Sequence, residues 1–399
     1  MLLAGLGAGA VVLGRDGRHD VRPGTVEAPR ASPAAAAAAL ADVAAALRDR
    51  DTGALVALAP PDDEAARTAL EGVGRNVRSL AVRDVAVRYV DQAGTVAADG
   101  SWTAVAEVDW RLGDQDAATS TAEVLVGLVP DGAGLAVSGF LAPAGDRTAR
   151  LPLWLRGRLS VARSGRVLVL ADGPQRVADT VARRATVGIG VVRRVLPDWT
   201  GPVVVEVPAT AADLDEALGA APGTYAGIAA VTTAAGSGTD ATAPVHVFVN
   251  PEVTSGLRRA GAQVVMSHEL VHVATDATRT PMETWLLEGF ADWVALRDVD
   301  LPDSTTLGRA IRSARADGVP DRLPAAADFD PRANDLQARY EQAWLACRVV
   351  ADALGEQGLV RLYDAAAGGE PVDRALARAG LPLPRLTALW RSALADLAG

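Results

Sequence analysis

The sequence predicts an α+β protein: a helix-plus-antiparallel-sheet domain, then a domain with a small sheet that gives way to helices. Three observations carry this. Residues 80–140 hold four alternating apolar runs separated by turn signals, the pattern of an antiparallel meander. Residues 159–250 interleave short apolar runs with amphipathic stretches of helical spacing. From Thr254 onward the apolar spacing is mostly helical. The implied domains are 34–145, 159–300 and a helical C-terminal subdomain over 301–399.

Residues 1–14 are an unbroken apolar and glycine run, followed by Arg15, Arg18 and Arg22. A membrane span needs about 20 residues. The run therefore reads as the apolar core of an export signal or as part of a membrane anchor, which predicts an exported or membrane-anchored protein. Residues 15–33, polar and punctuated by Pro23, Pro29 and Pro33, read as a linker.

Leu40, Val43, Ala44 and Leu47 give helix spacing within 34–58, with a turn at 49–53. A second helix is expected over 64–73, after Pro60-Pro61-Asp62-Asp63. Strands follow through Leu80–Tyr89, Trp102–Trp110, 122–129 and 135–140, the last two joined by Pro130-Asp131-Gly132. The acids of this domain are scattered and expected to face solvent. The order of elements, with its Asp51-Thr52-Gly53-Ala54-Leu55 corner, resembles the NTF2-like cone.

In the second domain, 159–171 reads as one strand centred on Val167-Leu168-Val169-Leu170. A helix over 175–196 is opened by Pro174. Residues 203–207 form a buried strand, and 211–218 a helix capped by Thr210. Further strands are expected at 228–233 and 245–249, then a helix over 254–274. His246 alternates with Val245 and Val247 and is expected on the polar face of its strand. The later helices are expected at 345–354, 358–367, 373–379 and 383–397, packed behind the site described next.

His268-Glu269-Leu270-Val271-His272 falls inside the helical pattern and uses two of the four His in the chain. Residues at i and i+4 share a helix face, so both imidazoles can reach one metal ion. Glu269 then faces the metal's open position, where it can take a proton from water. A catalytic zinc site needs a third protein ligand. Glu288 is the candidate, because a carboxylate among Trp285, Leu286, Leu287, Phe290 and Ala291 is costly unless paired or metal-bound. Asp292, one turn on, can accept the second N–H of a ligating imidazole. Gly289 would let the two helices approach closely. The single cysteine, Cys347, permits no internal disulfide and reads as a buried small apolar residue. The net charge of −10 does not favour nucleic acid.

Ser267-His268-Glu269-Leu270-Val271-His272-Val273-Ala274-Thr275 followed by Trp285-Leu286-Leu287-Glu288-Gly289-Phe290-Ala291-Asp292-Trp293 resembles the gluzincin metallopeptidases, and most of all their peptidase-MA-like actinobacterial domains. The resemblance implies a zincin-like catalytic domain holding Zn²⁺ on His268, His272 and Glu288, with Glu269 as base and Asp292 orienting a ligand. It also implies an oxyanion donor from a later helix. No His follows His272, and Tyr340 occupies the matching position, with Arg339 as an alternative. Asn250 and its strand edge are implied to bind substrate backbone. The spacer from His272 to Glu288 is shorter than in the aminopeptidase branch, and that branch's Gly-x-Met-Glu-Asn strand is absent. The expectation is therefore a zinc endopeptidase acting on a peptide or protein. The alternative is a non-catalytic zinc-containing scaffold or cell-envelope binding module.

Overall fold

The computed structural model describes residues 30–143, 149–237 and 242–399. The apolar run at 1–14 and nearly all of the linker lie outside them. Among the described residues no helix is long and apolar enough to cross a membrane.

The α+β class is observed. The chain opens with α1 (Pro33–Asp49), α2 (Thr52–Ala57) and α3 (Glu64–Ser79). Asp51 and Asp63 cap α2 and α3, each carboxylate accepting a backbone N–H at 2.9 Å. An antiparallel meander follows: β1 (Val82–Ala93), β2 (Trp102–Leu112), β3 (Ser120–Asp131) and β4 (Gly134–Leu141), paired in chain order.

A five-stranded mixed sheet comes next, in the order β5-β6-β7-β9-β8. Its elements are β5 (Ser160–Ser164), β6 (Val167–Ala171), α4 (Gln175–Arg193), β7 (Val203–Val207), α5 (Ala211–Leu218), β8 (Ala230–Ala234) and β9 (Val245–Val249). The single strand expected over 159–171 is instead a hairpin. It turns at Gly165, whose φ of 57° is one that L side chains rarely adopt. Thr210 caps α5 in a capping box with Asp213. α6 (Pro251–Ser255) and α7 (Arg259–Ala274) divide the single helix expected over 254–274.

The remainder is helical: α8 (Thr284–Leu296), α9 (Asp303–Thr306), α10 (Gly308–Asp317), α11 (Leu336–Leu354), α12 (Glu356–Ala367), α13 (Val372–Arg378) and α14 (Leu383–Ala398). α10 was not anticipated. It buries only Ala310, Ile311 and Ala314 beyond its first residue, and these sit among Arg309, Arg312, Arg315 and Asp317, so the stretch reads as polar.

Strand alternation divides the mixed sheet between two cores. Val167, Val169, Val203, Val205, Val247 and Val249 point into a core shared with α4, α7, α8 and the C-terminal helices. Leu168, Leu170 and Val204 point the other way, into the core of the N-terminal domain. Asn76, fully buried on α3, ties the two parts together. Its amide nitrogen donates to Trp154 O at 2.9 Å, and its Oδ1 accepts from Leu159 N at 3.0 Å.

His246 lies on this covered face and is 1% exposed. Its Nδ1 is 2.7 Å from Glu206 Oε1 on β7, and its Nε2 is 2.9 Å from Asp116 Oδ1 in the β2–β3 loop. The expected alternation with Val247 holds, but the face is not solvated, because the N-terminal meander covers it. Asp116, itself 4% exposed, likewise corrects the expectation that this domain's acids all face solvent. Burial disfavours charge on His246, and Asp116 and Glu206 more than offset that, raising its pKa to about 10.

Candidate metal centre

α7 packs against α4 and α8. It buries Met266, Leu270 and Val271 and turns His268 and His272 toward α8. α8 buries Trp285, Leu286, Phe290, Ala291 and Val294. Its Glu288 and Asp292, one turn apart, meet the two imidazoles. The glycine between them has a different role from the one expected. A Cβ on Gly289 would lie 2.3 Å from Ala343 O and 2.9 Å from Cys347 Sγ, so the close approach it permits is to α11 rather than α7. Cys347 is fully buried at this contact, and burial raises its pKa well above the usual thiol range.

Three donor atoms form a nearly equilateral triangle. His268 Nε2 and His272 Nε2 are 3.0 Å apart, and Glu288 Oε2 lies 3.2 Å from the first and 3.3 Å from the second. Ligands about 2.0–2.1 Å from a tetrahedral ion stand about 3.3 Å from one another, so the triangle has the dimensions of three corners of such a site. His268, His272 and Glu288 can therefore hold a metal ion.

Asp292 Oδ1 lies 2.8 Å from His268 Nδ1. Placing the proton on Nδ1 leaves the Nε2 lone pair aimed at the triangle. His272 has no such support: its Nδ1 is buried without a hydrogen-bond partner among the described residues.

The local field favours positive charge. Burial opposes ionisation of Glu288, yet His272 and His268 hold its carboxyl well below the usual range. Burial opposes charge on His268, yet Asp292 and Glu288 raise its pKa well above the ordinary value. A bound cation would satisfy the same carboxylates.

Glu269, 6% exposed, lies on the wall of the cleft. Its Oε2 accepts a hydrogen bond from Thr232 Oγ1 at 2.6 Å. Tyr340, on α11, sets its ring edge-on to His268 with centroids 6.1 Å apart, and Phe329 packs edge-on against Tyr340 at 5.3 Å. Burial, reinforced by Glu288, Glu269 and Asp292, pushes the Tyr340 phenol well above its ordinary pKa, so it stays a donor. Two cavities of about 190 and 200 Å³ flank these groups, and both are lined by Ile228, Ala230, His268, Glu269 and Tyr340. Among the described residues no Arg side chain lines either cavity.

The structure thus brings His268, Glu269, His272, Glu288, Asp292 and Tyr340 to one cleft. It does not bring Asn250 or Arg339 there as reactive groups. Asn250 is fully buried, caps α6 through Oδ1 and donates to Tyr225 O at 2.9 Å, so its side chain exposes no group to substrate. Arg339 pairs with Asp335 and donates to Gln342. Thr232, Phe329 and the wall at Tyr225 and Ile228 had no signal in the sequence. Each reaches the site through β8, a loop or the short 3₁₀ turn Ala326–Phe329, whose positions depend on tertiary packing. No protein-family model and no curated protein matches this chain.

Proposed function

We propose that the protein is a zinc-dependent peptidase that cleaves within peptide chains. The observation that carries this reading is the triangle of His268 Nε2, His272 Nε2 and Glu288 Oε2, with Glu269 beside it on the cleft wall. Two imidazoles and one carboxylate at tetrahedral spacing suit zinc and leave a fourth position for substrate or water. Zinc held there would polarise a scissile carbonyl and bring the pKa of a water toward about 7.

The chain's own groups supply the rest. Glu269 takes a proton from the attacking water at its carboxylate and delivers it to the departing amine nitrogen. Tyr340, kept protonated by its surroundings, donates a hydrogen bond to the oxyanion of the tetrahedral intermediate. Asp292 holds the His268 ring in the ligating tautomer. No Arg among the described residues lines either cavity, so no guanidinium is placed to anchor a substrate's terminal carboxylate, which supports internal cleavage.

Zinc content measured alongside cleavage of a mixed-sequence peptide library, with and without chelator, tests this reading. Glu269→Gln is expected to keep the metal and to lower turnover by about 10³-fold. Full zinc occupancy with no cleavage by the wild-type protein would instead identify a scaffold.

A further inference from the structure

We propose that Thr232 is a positioning residue that holds the Glu269 carboxylate in the cleft and keeps it off the cation. Its effect on turnover rests on the peptidase reading, whereas its effect on metal binding rests only on the donor triangle.

A buried carboxylate seeks a partner. Glu269 shares a cavity with all three donor atoms, so a bound cation would be a strong competing partner. Thr232 intervenes. Its Oγ1 lies 2.6 Å from Glu269 Oε2 and 3.2 Å from the Glu269 backbone oxygen. A hydroxyl has one proton to give, and the nearer, charged carboxylate takes it.

The restraint comes from outside the helix that carries Glu269. Thr232 sits on β8, in register with fully buried Val247 of β9. Its β-branched side chain has restricted χ1. The sheet therefore fixes where the hydroxyl points, and α7 carries the carboxylate to it. One carboxylate oxygen is occupied, while the cleft-lining group stays available for proton transfer.

Thr232→Val preserves the shape and removes the donor. In the cobalt-substituted protein, the freed Glu269 is expected to join the metal. The visible spectrum would shift toward higher coordination, with lower intensity, and cobalt affinity would tighten several-fold. Thr232→Ala should do the same, which covers the case of a Val variant that folds poorly. Thr232→Ser should restore the wild-type spectrum, and Thr232→Val combined with Glu269→Gln should abolish the shift. In the zinc protein, kcat is expected to fall about 10-fold in the Val variant with KM unchanged, and to recover with Ser. A wild-type cobalt spectrum and affinity in both the Val and Ala variants would overturn the assignment, as would a loss of kcat that Ser does not rescue. If the wild-type protein cleaves no peptide, the peptidase reading fails while the cobalt spectra still decide the role of Thr232.

Discussion

His246 is buried and His268 is part-buried at the cleft, and each ring nitrogen of both lies against a carboxylate. His246 meets Glu206 through Nδ1 and Asp116 through Nε2, at 2.7 and 2.9 Å. His268 meets Asp292 through Nδ1 and Glu288 through Nε2, at 2.8 and 3.2 Å. The difference is convergence. At His268 a second imidazole nitrogen arrives 3.0 Å away, so three donor atoms cluster at one spot. At His246 the two carboxylates lie on opposite edges of the ring, and each takes a separate N–H. The first cluster can chelate a cation. The second fastens the β2–β3 loop to the mixed sheet. The same residue types thus yield a binding site or a structural tie, depending on whether their donor atoms share a focus.

The comparison is tested most severely by exchanging losses. His268→Ala should abolish stoichiometric zinc, read by elemental analysis, and leave the fold intact by circular dichroism. His246→Leu should keep zinc and destabilise the fold by about 3–5 kcal/mol in urea titration, because two buried carboxyl groups lose their donor. A His246→Leu protein that loses zinc while staying fully stable would break the distinction.

A smaller effect is expected at Asp292. Replacing it with Asn removes the charged acceptor of His268 and should weaken zinc binding by about 10–100-fold in chelator competition. Asn in place of Asp116 should leave zinc affinity unchanged.

Opposite pH responses give the gentlest test. The His246 pKa is raised to about 10 in the folded protein, against about 6.5 for an ordinary imidazole. Its stabilising contribution is therefore complete below about pH 6.5 and is lost as pH rises through about 10. The stability gap between wild type and His246→Leu should narrow when urea midpoints are compared at pH 7 and pH 10.5. At the metal centre protons compete with the cation for His268, so zinc affinity should rise with pH across the neutral range.

The clusters also differed in how legible they were. The i, i+4 spacing of His268 and His272 is local and held on α7. Glu288 stood out as a carboxylate inside an apolar helix, and α8 places it at the triangle. The capped helix at 211–218 and the strand at 203–207 were found with their bounds, because cap chemistry and apolar runs act over a few residues. The turn at Gly165 is not legible although Ser164-Gly165-Arg166 carries a breaker signal, since the flanking apolar run is nearly continuous. His246 was placed on the correct side of its strand, but alternation does not reveal what covers that side.

The sequence by itself determined which atoms can bind a metal and which carboxylate stands ready beside them. Those choices are written in the pitch of one helix and in the cost of a charge among apolar neighbours. Tertiary structure alone decided that Thr232 reaches Glu269, that Asn250 is spent on a cap and that Asp116 reaches His246 across 130 positions of chain. Such contacts follow from how sheets and helices pack over long separations, where no local periodicity records the partner.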